Sequence, residues 1–295
     1  MIYLKNKNDL SWEQILIALQ KNNKEILYTV WADQTLIFAL DTGKVHLFKM
    51  DYDAKGNKFR VRLIEGSKMS TEEWDLVAEY VRHWFDLEYS LVDFYAYFQN
   101  DPLLRPLLEK YRGLPLIGTP RLYEALTWGI IGQQISLPVA YQIKARFVQK
   151  YGQKISYKGK EYWTYPHPGS VQNATLDELA SLGLPKTRAQ YLANVTEAFL
   201  TGKLDERVIS RLEFSEAQQL LLSLKGVGPW TAGVALMSSL RFPNVFLTTD
   251  AKLLNGLKKL FQTAKRPEQA QLTKLKEVWG AHASHVIFYI WQDAC

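Results

Sequence analysis

Two features of the chain bring together residue types that can do chemistry at a fixed separation. The first is Lys225-Gly226-Val227-Gly228, a G-x-G turn followed by Pro229-Trp230-Thr231. Glycine reaches left-handed dihedrals and lets another backbone approach closely, while proline suits the first position of a helix. Such a turn aims the amides of Gly226, Gly228 and Trp230 outward, at the positive end of the helix beginning at Pro229. This is a phosphate site made of main chain, with Lys225 and Thr231 beside it, and it carries no base information. The second feature is Asp250, twenty-two residues after Gly228 and just ahead of Leu253, Leu254 and Leu257. Taken singly, the glycines can serve packing in a plain helical corner and the aspartate can be an ordinary N-cap. Together they describe a module that grips an anionic backbone and does chemistry beside it.

The elements that must position this pair read as helices. Ser215-Glu216-Ala217-Gln218 fits a capping box, which predicts a short helix ending near Leu222. Pro229–Ser238 follows the turn, and Val245-Phe246-Leu247 is an apolar anchor for the segment carrying Asp250. Apolar periodicity predicts further helices over Pro120–Gly132 and over Ser136–Tyr151, the latter capped by Ser136 and stopped by Gly152. Others are expected over Leu176–Ser181, Lys186–Thr201, Glu206–Arg211, Asp250–Leu260, Arg266–Trp279 and Ala281–Asp293. Tyr157–Pro168, aromatic and interrupted by proline, reads as a loop. The first hundred residues differ. Ile26–Trp31, Thr35–Leu40, Lys44–Met50 and Lys58–Ile64 are β-branched and aromatic runs separated by short turn signals, an antiparallel meander. Val45 and Leu47 set against His46 and Lys49 predict one solvated face. A helix capped by Ser70 and Glu73 follows. The expectation is an α+β N-terminal domain, an antiparallel sheet with helices, over residues 1–105, then an all-α domain over residues 106–295.

Composition narrows the classes. A net charge of +6 favours an anionic partner, since phosphate neutralisation supplies much of the affinity for nucleic acid. The single cysteine, Cys295, excludes an intrachain disulfide framework and any all-cysteine metal or iron–sulfur site. The first residues lack the apolar core of a signal peptide, and no apolar stretch of about eighteen residues occurs, so a cytosolic protein without a membrane partner is expected.

GVGPWTA followed by FLTTD resembles the helix-hairpin-helix glycosylases of base-excision repair, whose aspartate occupies the position of Asp250. Tyr123–Ala140, YEALTWGIIGQQISLPVA, is similar to the family segment that faces the gap in the duplex, and Leu182–Ala189, LGLPKTRA, to the segment after it. The order of β-rich domain, QQIS block, hairpin and aspartate is most similar to the bacterial 3-methyladenine type. The resemblance implies an all-α helix-hairpin-helix glycosylase domain acting, as a monomer, on double-stranded DNA containing alkylated bases.

It implies roles as well. Asp250 is the catalytic residue, stabilising an oxocarbenium-like sugar for attack by water. Gln134, with Gln133, fills the gap left by a flipped base, although both can instead satisfy loop backbone groups. Trp230 and Trp291 are aromatic pocket walls suited to an electron-poor base. Val234 stands where the most similar enzymes have tyrosine, which implies a wider or less polar pocket. The lyase branch has a lysine nucleophile at the position of Trp230, and an indole cannot form a Schiff base, so a hydrolytic enzyme is implied. Lys225, Gly226, Gly228 and Thr231 are phosphate contacts. The carbonyls of Leu222, Leu224 and Val227 match places where such hairpins hold a structural alkali ion; no catalytic metal and no cofactor are expected. Two other readings remain open: an oxidised-purine glycosylase, which calls for a polar pocket, and a non-catalytic DNA-binding module in which Asp250 only caps a helix.

Overall fold

The computed structural model describes residues 1–21 and 24–294; Cys295 lies outside them. The chain begins with β1 (Ile2–Lys5) and α1 (Trp12–Gln20), neither anticipated above. The signal for α1 was present: Ser11 accepts from the Gln14 N–H as N-cap, and Trp12, Ile15, Leu16 and Leu19 form its buried face. Then come β2 (Tyr28–Val30), β3 (Leu36–Asp41), β4 (Val45–Asp53) and β5 (Lys58–Glu65), the four strands expected. They form an antiparallel sheet in the order β1-β5-β4-β3-β2. The predicted capping box of Ser70 and Glu73 opens α2 (Thr71–Trp84).

Helices follow: α3 (Leu91–Tyr97), α4 (Arg105–Lys110), α5 (Leu122–Ile131) and α6 (Leu137–Tyr151). Ser136 stands at the N-cap of α6, but its hydroxyl makes no capping bond. Next is a hairpin, β6 (Lys154–Tyr157) and β7 (Lys160–Trp163), so the reading of Tyr157–Pro168 as a loop fails for its first half. Its two-residue turn, Lys158-Gly159, takes positive φ at both positions, the geometry that matches strand twist. The chain continues through α7 (Pro168–Val171), α8 (Leu176–Ala180), α9 (Lys186–Leu200), α10 (Glu206–Ile209), α11 (Phe214–Leu222), α12 (Pro229–Ser238), α13 (Ala251–Leu260), α14 (Gln269–Trp279) and α15 (Ala283–Asp293). Among the described residues no helix is long and apolar enough to cross a membrane.

The β6–β7 hairpin covers the face of Val45 and Leu47, and the side of His46, expected to be solvated, is buried as well. Ile37, Ala39 and Leu47 pack under Tyr162 of β7. His46, expected to face water, points to the other side, lies tilted near Phe48 and is fully buried, its ring bonded to Thr42 and Ser67. That other side merges with the helical part in one apolar core running from Leu4 to Ile290. At the seam Phe94 of α3 meets Tyr289 of α15 edge-on at 5.5 Å, and the hydroxyls of Tyr95 and Tyr289 bond at 3.1 Å. Lys144 of α6 lies buried between Glu25 and Glu124, at 2.9 and 3.3 Å. The sheet and the helices are therefore packed as one body around the elements that carry the hairpin and Asp250.

Candidate active site

The hairpin consists of α11, the turn from Ser223 to Gly228, and α12. Helix α11 starts two residues earlier than Ser215 suggests: Glu213 is its N-cap and Glu216 completes the capping box. Within the turn the Val227 N–H donates to the Leu224 carbonyl. Gly226 has φ +104°, and an added Cβ would lie 2.2 Å from Cγ of Tyr191 on α9, so both backbone and neighbour demand glycine. Gly228 differs from the expectation of two left-handed glycines. Its φ is −89°, ordinary for any residue, and nothing lies within 4 Å of an added Cβ. Here glycine leaves open space in front of the first turn of α12, whose Trp230 and Thr231 amides have no intrahelical acceptor. Lys225 is exposed beside that opening.

Two polar side chains, neither singled out as a hairpin support, hold the turn from behind. Asn194 of α9 donates to the Lys225 carbonyl at 3.2 Å. Gln133 donates through Nε2 to the Gly226 carbonyl at 2.9 Å and to the Thr231 hydroxyl at 3.2 Å. Gln133 thus bonds into the hairpin and does not point outward as a gap-filling residue would. Thr231 is only 2% exposed and its hydroxyl accepts from Gln133, so the expectation of a phosphate contact through that hydroxyl fails. Gln134, next to Gln133, is exposed and takes a left-handed φ of +53°, an uncommon conformation for a glutamine. It leads into Leu137 and Val139, both exposed on the first turn of α6.

Asp250 arrives on a loop fixed at both ends. Val245 and Leu247 are buried, as the apolar anchor predicted, and Phe246 packs against Trp279 at 5.4 Å. The Ser284 hydroxyl of α15 donates to the Phe242 carbonyl at 2.7 Å and accepts from the Val245 N–H at 3.3 Å. Nothing in the sequence marks Ser284 for this role. Asp250 is the N-cap of α13, its Oδ1 accepting the Leu253 N–H at 2.6 Å. Capping does not exhaust it. Trp291 Nε1 donates to the same oxygen at 2.8 Å, and Trp230 Nε1 donates to Oδ2 at 2.7 Å. Asp250 as a whole is only 6% exposed, with both tryptophans half-buried around it. Val234 is partly buried one helical turn beyond Trp230 on α12.

The structure thus gathers Asp250, Trp230 and Trp291 into one site, next to a backbone-amide turn that Gln133 supports. The carbonyls of Leu224 and Val227 belong to the same turn, that of Leu224 already accepting one bond, and that of Leu222 closes α11 just before it. Among the described residues no cluster of His, Cys, Asp or Glu is arranged to hold a metal ion.

A helix-hairpin-helix opening onto a buried aspartate defines a class, and comparison with known proteins gives the same one. The profile of the HhH-GPD superfamily of base excision DNA repair proteins matches residues 127–281, and the chain belongs to this superfamily. It is 34% identical over 223 residues to the DNA-3-methyladenine glycosylase of Bacillus subtilis, covering 75% of this chain and 74% of that protein. Its fold is similar to that of the 3-methyladenine DNA-glycosylase from Archaeoglobus fulgidus, with a TM-score of 0.84 at 21% identity over 100% of this chain and 98% of the other. It is also similar to an 8-oxoguanine glycosylase/lyase of Clostridium acetobutylicum solved with double-stranded DNA, with a TM-score of 0.77 at 19% identity over 99% and 94%.

Proposed function

We propose that the chain is a monofunctional DNA glycosylase, acting as a monomer in the cytosol, that flips alkylated purines such as 3-methyladenine out of double-stranded DNA and hydrolyses their glycosidic bonds. The observation that carries this is Trp230 bonded to Asp250 at 2.7 Å: an indole joined to the acid at the position where a lyase needs an amine. A purine alkylated on a ring nitrogen is cationic and already a good leaving group. When the C1′–N bond breaks, its electron pair goes to the base, which leaves neutral. Positive charge then develops on the sugar, where the Asp250 carboxylate stabilises it. Water adds to C1′ and its proton passes to solvent.

The remaining assignments belong to the same reading. The open turn at Gly228, the Trp230 and Thr231 amides and Lys225 take the phosphate backbone. Gln134, with Leu137 beside it, enters the gap left by the flipped nucleotide. Trp230, Trp291 and the small Val234 bound an aromatic, largely apolar pocket, which suits a cationic base held by ring faces better than a neutral oxidised purine that needs polar readout.

The test is base release. Purified protein should free 3-methyladenine from methylated duplex DNA without cutting the strand, with release followed by mass spectrometry. Asp250→Asn should bind the duplex yet release almost nothing; wild-type release by this variant would overturn the mechanism. A borohydride-trapped adduct would show a lyase, and preferential release of 8-oxoguanine an oxidised-purine enzyme.

A further inference from the structure

We infer that Trp230 and Trp291 are positioning residues for Asp250: their indole N–H groups fix which oxygen, and which lone pair, of the carboxylate faces the sugar. The inference rests on the reading of Asp250 as the catalytic carboxylate and adds a role to side chains otherwise assigned only to the base.

A carboxylate offers about four acceptor directions, two on each oxygen. Oδ1 spends both of its own, on the Leu253 N–H at 2.6 Å and on Trp291 Nε1 at 2.8 Å. Oδ2 spends one, on Trp230 Nε1 at 2.7 Å. A single direction is left, and it belongs to Oδ2. The three donors come from the first turn of α12, the first turn of α13 and the last turn of α15, so they converge from separate helices. Rotating the carboxylate breaks bonds to at least two of them at once.

The donor type matters as much as the number. Indole has one N–H, no acceptor and no charge. A lysine or arginine in either place would hold the carboxylate equally well, but it would neutralise the acid and repel a cationic base and a cationic sugar. Two tryptophans orient the acid and leave its full negative charge for the reaction. Each ring therefore has two working surfaces, the face toward the base and the N–H edge toward the acid. A base pressed against the face bears on the group that holds the catalytic oxygen in place.

The experiment removes the N–H while keeping the ring. Trp230 and Trp291 are replaced singly by phenylalanine and, to preserve ring size and packing, by benzothienylalanine, in which sulfur stands for the N–H. Single-turnover release of 3-methyladenine and affinity for a duplex carrying an abasic-site analogue are measured for each. Loss of one charge-assisted hydrogen bond should slow release about 10- to 100-fold, while affinity for the abasic duplex, which presents no base, stays unchanged. In the Asp250→Asn background the same replacements should alter the residual rate by no more than about twofold, because the negative charge that the indoles orient is gone. Full activity of the benzothienylalanine forms would overturn the inference. So would equal losses in both backgrounds, which would leave the rings acting on the base alone and the role of Asp250 intact. Wild-type release by Asp250→Asn by itself would instead bring down the underlying reading of the carboxylate.

Discussion

Gly226 and Gly228 look alike in the sequence and do different things. Gly226 has φ +104° with Tyr191 packed on it, so Gly226→Ala should cost about 1–3 kcal/mol in urea denaturation and weaken binding to any duplex. Gly228→Ala should fold with unchanged stability, since its φ is −89° and its Cβ meets nothing, but lose affinity for DNA of any sequence. Equal affinity for the Gly228 variant and its parent would remove the open turn from the phosphate site. That two glycines stood in a tight turn was legible; which was there for the chain and which for an approaching partner was not, because the difference lies in Tyr191, thirty-five residues upstream. The two glutamines divide in the same way. Gln133 turns inward to Gly226 and Thr231 and Gln134 outward, a distinction set by the left-handed φ of Gln134.

At the level of elements, the helix boundaries around Asp250 were readable from caps and periodicity, and α12 runs from Pro229 to Ser238 as predicted. What holds the loop between α12 and α13 was not. Ser284 bonds the loop at Phe242 and Val245 from a helix forty residues away, and a lone serine has no pattern to betray it. Ser284→Ala leaves one buried and one partly buried backbone group without this partner, so it should cost about 1–3 kcal/mol in thermal or chemical unfolding. It should also slow base release more than it weakens DNA binding, since the loop carries the acid but not the phosphate turn. Equal losses in both would place Ser284 outside the catalytic geometry. The β6–β7 hairpin escaped notice for a related reason: its strands are four residues long, and the prolines beyond Trp163 disguise them.

For the whole molecule, the seam between sheet and helices is partly polar. The guanidinium of Arg241, after α12, donates to the carbonyls of His83, Trp84 and Leu116, and the His83 ring meets the Ser239 carbonyl. Burial, with Arg241 beside it, pulls the His83 imidazole down to about 4. Burial, then Arg241 and His282, also holds His285 well below the usual range; its ring stacks on Tyr89 at 3.5 Å. The unfolded chain takes up these protons from about pH 6.5 downward, whereas folded His83 does so only near 4. Stability is therefore lost as pH falls through that window, by about 3 kcal/mol for His83. Glu124, Asp86 and Glu206, raised by burial, act in the opposite sense. The informative measurement is thus a difference: urea midpoints from pH 7 to 4.5 should fall less steeply for His83→Gln than for the parent, and parallel curves would show that His83 does not carry this dependence. The two-part organisation was legible from composition, but the depth of its joining was not, because seam residues such as Tyr289 read as ordinary helix core.

The covering of the sheet by β6–β7 bears on how the chain is made. On the ribosome, β3, β4 and β5 emerge well before the hairpin that hides Ile37, Ala39 and Leu47. From Glu65 to Lys154 the gap is about ninety residues, on the order of 5–20 s of synthesis, during which a greasy sheet face stands bare on the nascent chain. The N-terminal half on its own should consequently be a client for holding chaperones, and a fragment ending near residue 105 should aggregate when expressed alone.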